Sequence, residues 1–284
     1  MNTDISWIWN SPKLNALAEA NFKRYVAVLY QLVVEQKAKF DALIVGGNTG
    51  LIAGRIAQMV FDKTSSPRPP MISIPHQRER KKEPNTSAPE RTNKVLALNV
   101  YNQSYDFNIP KITNLLFVDD EICKGTNALA CLNAAIEAGA CAEHVNYYIV
   151  AEDQNFIPSG YPKNVSIHFC PFAKGISGLN NTIVYITPHE LEQPLKKIHA
   201  ETKQILMILM GIPIRNKTIP QDNFDYLLNA RAAIGIAELG ELMTKMSKLL
   251  YRLIDDGINE YKSGSIDLKD FSYTSEILAR TDNA

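Results

Sequence analysis

Net charge is the first thing this chain lacks: 30 Lys and Arg balance 30 Asp and Glu over 284 residues. That balance argues against a generally basic nucleic-acid binder. Cysteine is scarce. The four present (Cys123, Cys131, Cys141, Cys170) form no Cys-x-x-Cys pair and no metal-like spacing with histidine, so free thiols in a reducing compartment are expected. The five histidines (His76, His144, His168, His189, His199) share no spacing that would build a metal site. Long apolar runs are missing too. Ile205 to Ile212 is under half the roughly 20 residues of a membrane span. Trp7-Ile8-Trp9 is too short for a signal-peptide core. The expectation is a cytoplasmic protein with no membrane partner. The phosphate-binding signatures GxxxxGK[ST] and GxGxxG are absent as well, and no internal repeat stands out.

What is present begins with a core-forming composition, 45% apolar and 21% charged, that of a globular protein. Residues 12–37 place Leu14, Leu17, Phe22, Tyr25, Val26, Leu29, Leu32 and Val33 at helical spacing, with Pro12 suited to a first turn. Ala42 to Val45 reads as a short buried strand, Gly46 to Gly50 as a glycine-rich turn and Leu51 to Phe61 as a helix. Glycines between strand and helix let backbone N–H groups approach an anion, and the helix N-terminus adds partial positive charge. Met71 to Ile74 is a further strand. The stretch from His76 to Lys94 then holds six basic residues (Arg78, Arg80, Lys81, Lys82, Arg91, Lys94), three acids and almost nothing apolar. Such a polar segment is either a lid or a solvated loop. Val95 to Val100 reads as a strand returning from it.

The most informative stretch is Asn114 to Asn127, NLLFVDDEICKGTN. Four apolar residues, Leu115 to Val118, run into Asp119 and Asp120. A short turn with Lys124 and Gly125 leads to Thr126, Asn127 and an alanine-rich helix. Adjacent strand residues point to opposite faces, so both acids can meet one ligand only if the strand ends there and the chain turns. Two carboxylates at a strand end can chelate a cation or accept hydrogen bonds from a vicinal diol. The turn after them offers phosphate ligands: backbone N–H groups, the Thr126 hydroxyl and the Lys124 ammonium. A diol and a phosphate held a few ångströms apart suggest a ribose 5-phosphate. Further strands are expected at Val145 to Ala151, Val165 to Cys170 and Thr182 to Ile186. Alternating strands and helices imply an α/β fold, a mostly parallel twisted sheet with helices on both faces. From Pro188 the pattern turns helical, with one long or two joined helices over Phe224 to Tyr261 and a short helix expected in the tail. The expected division is an α/β domain over 1–187 and a helical C-terminal region over 188–284.

LLFVDDEICKGTN resembles the motif that binds 5-phosphoribosyl-1-pyrophosphate (PRPP) in type I phosphoribosyltransferases. The Ile-x-basic-Gly-Thr pattern is similar to the variant in glutamine-dependent amidophosphoribosyltransferases, although the N-terminal residues lack the catalytic cysteine of their glutaminase domain. The resemblance, covering residues 40–151, implies a type I phosphoribosyltransferase-like fold. It implies that Asp119 and Asp120 hold the ribose hydroxyls and that Cys123, Lys124, Gly125, Thr126 and Asn127 bind the 5-phosphate. It sets Gly47, Asn48, Thr49 and Gly50 near the pyrophosphate, and makes 76–94 the flexible lid, with Arg78, Arg80, Lys81 and Lys82 as candidate pyrophosphate ligands. Glu121 stands where an apolar residue is usual. Cys123 stands where the 6-oxopurine enzymes of the family carry an acid, which disfavours that subclass.

The implied function is a Mg2+-dependent transfer of the phosphoribosyl group from PRPP to a nitrogen acceptor, a nucleobase or an amine, with release of pyrophosphate. Mg2+ would arrive on PRPP, with Asp119 and Asp120 as further candidate ligands. Two alternatives stay open: a PRPP- or nucleotide-sensing module on the same fold, and a hydrolase acting on a phosphoribosyl compound. The C-terminal helices are candidates for base recognition, partner contact or a homo-oligomer interface.

Overall fold

The structure, a computed structural model, describes residues 12–74, 76–79, 92–95, 99–100, 113–122, 128–129, 131–133, 146–153, 164–170, 172, 176, 178–198, 202–212, 226–268 and 272–273. Helix α1 spans Pro12–Tyr30 and widens into a π-helical turn over Gln31–Glu35. Its face of Phe22, Tyr25, Val26 and Leu29 is fully buried, as the helical spacing predicts. Strand β1 (Ala42–Gly46) passes directly into helix α2 (Gly47–Lys63). Strands β2 (Met71–Ile74), β3 (His76–Glu79), β4 (Thr92–Val95), β5 (Asn99–Val100), β6 (Asn114–Ile122), β7 (Asn146–Asp153) and β8 (Val165–Cys170) follow.

Among the described residues seven strands, the last of them β9 (Ser272–Tyr273), form one sheet in the order β5-β2-β1-β6-β7-β8-β9. The five central strands, β2-β1-β6-β7-β8, are all parallel, while β5 and β9 lie antiparallel on the two edges. Every residue of β1 is buried, which a parallel strand covered on both sides requires. Leu43, Val45, Leu116 and Val118 join the large core formed with α1 and α2. The alternate residues Ala42, Ile44, Leu115, Phe117 and Ile167 are buried as well. By strand alternation they face the other side of the sheet.

Helix α2 lies close on β1. A Cβ added at Gly54 would sit 2.6 Å from Met71 Sδ and 2.7 Å from Val45 Cγ1, so only glycine permits this approach. The absence of a side chain there lets the second turn of α2 lie close against β1 and β2.

The run Thr182 to Ile186, expected as a last strand, belongs instead to helix α3 (Leu179–Ile186). Its β-branched residues favour a strand, but a short apolar run fits either element. Gly178, at φ +80, turns the chain into the helix, and Leu179, Thr182, Ile183 and Ile186 bury one helical face. Tertiary packing therefore overrides local propensity. The helical part continues with α4 (His189–Glu192), a 3-10 turn over Gln193–Ile198, α5 (Thr202–Leu209), α6 (Tyr226–Ile234) and α7 (Ile236–Lys262). Helices α6 and α7 are the two joined helices expected over Phe224 to Tyr261, parted at Gly235 with φ +88.

Helix α7 buries Leu239, Leu242, Met246, Leu250, Leu253, Ile254, Gly257 and Ile258 along one stripe, which packs on α1, α2 and α5. Ion pairs of 2.7 Å, Lys23–Glu260 to α1 and Lys63–Asp255 to α2, flank it. In the tail, Ser272–Tyr273 is strand β9, paired with Ile167 and His168 of β8, where a short helix was expected. The open edge of β8 supplies backbone partners that no local pattern encodes.

Candidate functional site at the carboxyl ends of β1 and β6

Strands β1 and β6 are neighbours, with Val45 opposite Val118. From β1 the chain runs outward to β2 on one side, while β6, β7 and β8 succeed one another on the other. The strand order thus reverses between β1 and β6, and in open parallel sheets a crevice forms beyond the strand ends at that point. The two stretches singled out in the sequence meet there: Gly47 to Gly50 directly after β1, Asp119 and Asp120 directly after Val118.

Gly47, Asn48, Thr49 and Gly50 are not a free-standing turn. They form the first turn of α2, with Gly46 (φ −93, ψ 115) at the N-cap and no capping side chain. The first N–H groups of any helix lack intrahelical partners, and here they emerge beside the end of β6. Gly50 packs tightly, since a Cβ there would lie 3.1 Å from Val45 Cβ.

Strand β6 does not stop at the acids. It runs to Ile122, with an irregularity: Val118 pairs with Val150, and Glu121 with Glu152. Asp119 and Asp120 therefore stand opposite Ala151 alone. This is a β-bulge, a device that re-aims side chains without ending the strand. The sequence reading required the strand to end at the acids; β6 instead runs on through the bulge to Ile122.

Each acid has its own support. Asp119 is 5% exposed. Its Oδ1 accepts the backbone N–H of Asp120 at 2.9 Å, and its backbone carbonyl accepts the Tyr25 hydroxyl at 3.3 Å. Asp120 is half-buried, and its Oδ2 accepts Asn180 Nδ2 at 2.6 Å. Burial, and secondarily the nearby Cys170, Asp119 and Asp120, push the Tyr25 hydroxyl well above its ordinary pKa. Tyr25 therefore remains a proton donor throughout the neutral range. Burial, with the charge of Asp119, likewise raises the Cys131 thiol, so Cys131 is an inert thiol and not a nucleophile.

The basic stretch is anchored at the same end of the sheet. Gly46 pairs with Ile74, and β3 begins two residues later. Strands β3 and β4 form a two-stranded antiparallel ribbon, with His76 opposite Val95 and Glu79 opposite Thr92. The ribbon is the root of the expected lid, and Arg78 lies on it opposite Asn93. Arg80, Lys81 and Lys82 fall outside the described residues, as do Cys123, Lys124, Gly125, Thr126 and Asn127.

Among the described residues no group of three or more His, Cys, Asp or Glu side chains could hold a metal ion. Asp119 and Asp120 are hard oxygen donors of the kind Mg2+ takes, but two carboxylates do not make a protein cage. They suit an ion that arrives with most of its ligands on a phosphate compound. No helix among the described residues is long and apolar enough to cross a membrane.

Sequence reasoning missed two residues that hold this site, Tyr25 and Asn180, and the buried Asn21 beside Tyr25 on α1. Tyr25 read only as an apolar position of α1. Asn21, one turn earlier, is buried and donates to the Ile176 carbonyl at 3.5 Å. Asn180 lies two residues before the run misread as a strand, and no expectation was attached to it. The available signal was the pair Asn21 and Tyr25, polar groups four residues apart on an otherwise apolar face.

No protein-family model matches the chain, and a comparison with curated proteins finds no match either.

Proposed function

We propose that the protein is a Mg2+-dependent phosphoribosyltransferase on a type I-like fold, which transfers the 5-phosphoribosyl group of PRPP to a nitrogen acceptor. The observation that carries this reading is the meeting of three features at one sheet end: the α2 N-terminus, the Asp119–Asp120 bulge and the β3–β4 ribbon. The sequence resemblance gives each a task on the same ligand.

In this reading Asp119 and Asp120 accept hydrogen bonds from the ribose hydroxyls and fix the sugar ring. The first turn of α2, from Gly47 to Gly50, faces the pyrophosphate, where partial positive charge is favourable. Cys123 to Asn127 take the 5-phosphate. Mg2+, when bound, would offset the charge that develops on the leaving pyrophosphate. The C1–O bond breaks with its electron pair leaving on pyrophosphate. The acceptor nitrogen donates its lone pair to C1, and the new N–C1 bond is completed by loss of a proton from nitrogen. The work of the chain is positioning, electrostatic stabilisation and exclusion of water by the segment between β3 and β4.

A second reading, a PRPP-sensing protein without transfer, is favoured by Glu121 and Cys123, where the motif departs from the family pattern, and by the extensive helical C-terminal region. Calorimetry with PRPP and Mg2+, followed by pyrophosphate-release assays across nucleobases and amines, separates the two. Transfer requires acceptor-dependent release, abolished in Asp119→Asn/Asp120→Asn. Binding without release supports the sensor, and release without an acceptor points to a hydrolase. Wild-type affinity and turnover retained in the double variant would sink the assignment of the acids.

A further inference from the structure

Asn180 stands on the first turn of α3, and its Nδ2 donates to Asp120 Oδ2 at 2.6 Å. A carboxylate acceptor makes such a bond short and strong. The residue is 9% exposed, so water does not compete well for the bond. The other end of the amide, Oδ1, is buried with no hydrogen-bond partner. An amide with a buried, unsatisfied oxygen has one polar reason for its orientation, the bond to Asp120. The backbone that carries it is fixed independently. Gly178 turns the chain into α3, and Leu179 and Ile183 anchor the helix in the core. Beneath, the Tyr25 bond to the Asp119 carbonyl and the Asp120 N–H bond to Asp119 Oδ1 hold the bulge. Of these three bonds, only that from Asn180 acts on the Asp120 carboxylate.

We infer that Asn180 is a positioning residue for the carboxylate pair: it engages Asp120 Oδ2 and turns the second oxygen, Oδ1, to a ligand hydroxyl in the crevice. The inference deepens the reading of the site as a holder of a ribose diol, and rests on it. Asp120 then presents one acceptor atom at a fixed angle, where an unbraced carboxylate would rotate.

Affinity for PRPP with Mg2+ should fall about tenfold in Asn180→Ala, the loss of one hydrogen bond to a charged group. Asn180→Asp sets a second carboxylate beside Asp120, and two carboxylates this close do not both ionise freely. Its affinity should be low at pH about 8 and recover relative to wild type by pH about 5, where a protonated Asp side chain again donates to Asp120. Lost packing gives no such recovery. Wild-type affinity in Asn180→Ala, or a wild-type pH profile in Asn180→Asp, overturns the inference.

A ligand-free measurement keeps it separate from the identity of the ligand. In 15N-labelled protein the Asn180 side-chain amide resonance should move in Asp120→Ala. An unmoved resonance overturns the positioning role. If the wild type fails to bind PRPP, the proposed ligand is wrong, and this resonance alone decides the part played by Asn180.

Discussion

The Tyr25 hydroxyl on α1 donates to the backbone carbonyl of Asp119 at 3.3 Å, across 94 residues of chain. The N-terminal helix thus holds the main chain of the bulge that carries both acids. Tyr25 is fully buried, and its shape is kept in Tyr25→Phe while the donor is lost. That variant should lose about 1–2 kcal/mol of stability, read from the denaturant midpoint, together with PRPP affinity. The hydroxyl's pKa lies above the ordinary 10.0 because burial disfavours the phenolate. Its contribution is therefore complete below pH about 10 and is lost as pH rises further. Tyr25→Phe should lack this alkaline loss. An equal loss in both proteins would remove Tyr25 as its cause.

On the acid side the group to watch is His168, on β8. Burial lowers its pKa from 6.5 to about 4. The folded state prefers the neutral ring, so the contribution is full above pH 6.5 and is lost as pH falls to about 4. Its size is about 3 kcal/mol. Melting temperatures of wild type and His168→Gln between pH 7 and 4 should converge, because only the wild type has a ring to protonate. Parallel curves would contradict this.

Glu192, at the end of α4, acts with the opposite sign. Burial raises its carboxyl from 4.5 to about 7, against the smaller pull of Lys196, and its Oε1 has no hydrogen-bond partner. The neutral acid suits the fold, so its contribution is present below pH 4.5 and lost as pH climbs through about 7. Glu192→Gln cannot ionise. Its stability relative to wild type should rise steadily over that window, and a flat difference would show that the carboxyl stays charged throughout.

The close approach of α2 to β1 gives a packing test that touches no polar group. Gly54→Ala gains about 1 kcal/mol of helix propensity. Its Cβ, however, would lie 2.6 Å from Met71 Sδ and 2.7 Å from Val45 Cγ1. The net effect should be a loss of about 1–3 kcal/mol, with weaker PRPP binding because the first turn of α2 is displaced. Unchanged stability and affinity would mean that the helix moves aside without consequence to the crevice.

The sheet was legible because β1 and the Leu115–Val118 part of β6 are buried on both faces. ALIV, MISI, LLFV and VSIHFC are near-continuous apolar runs, and each falls in a central strand. The meeting of the glycine stretch with the acids also followed from the alternation of strands and helices. What stayed hidden depends on partners distant in the chain. Residues 182–186 carry a strand's composition, and their helix is fixed by packing against α1. The bulge at Asp119 and Asp120 shows only against the register of β7. The bond from Asn180 spans 60 residues. Ser272–Tyr273 pairs because β8 offers an edge, and not because two residues can announce a strand.

Helix α7 has a consequence for the order of events during synthesis. It lies across α1 and α2, so part of the apolar surface of these helices is covered only after residues 236–262 have left the ribosome. Contacts between chain segments so far apart close slowly, and a chain still being made exposes surface that invites aggregation. The ends of β1 and β6 are both made by residue 122, yet the helices beside them gain their last cover only with residues 236–262. A fragment ending near residue 187 should accordingly need a chaperone, or residues 188–284 supplied separately, to stay in solution.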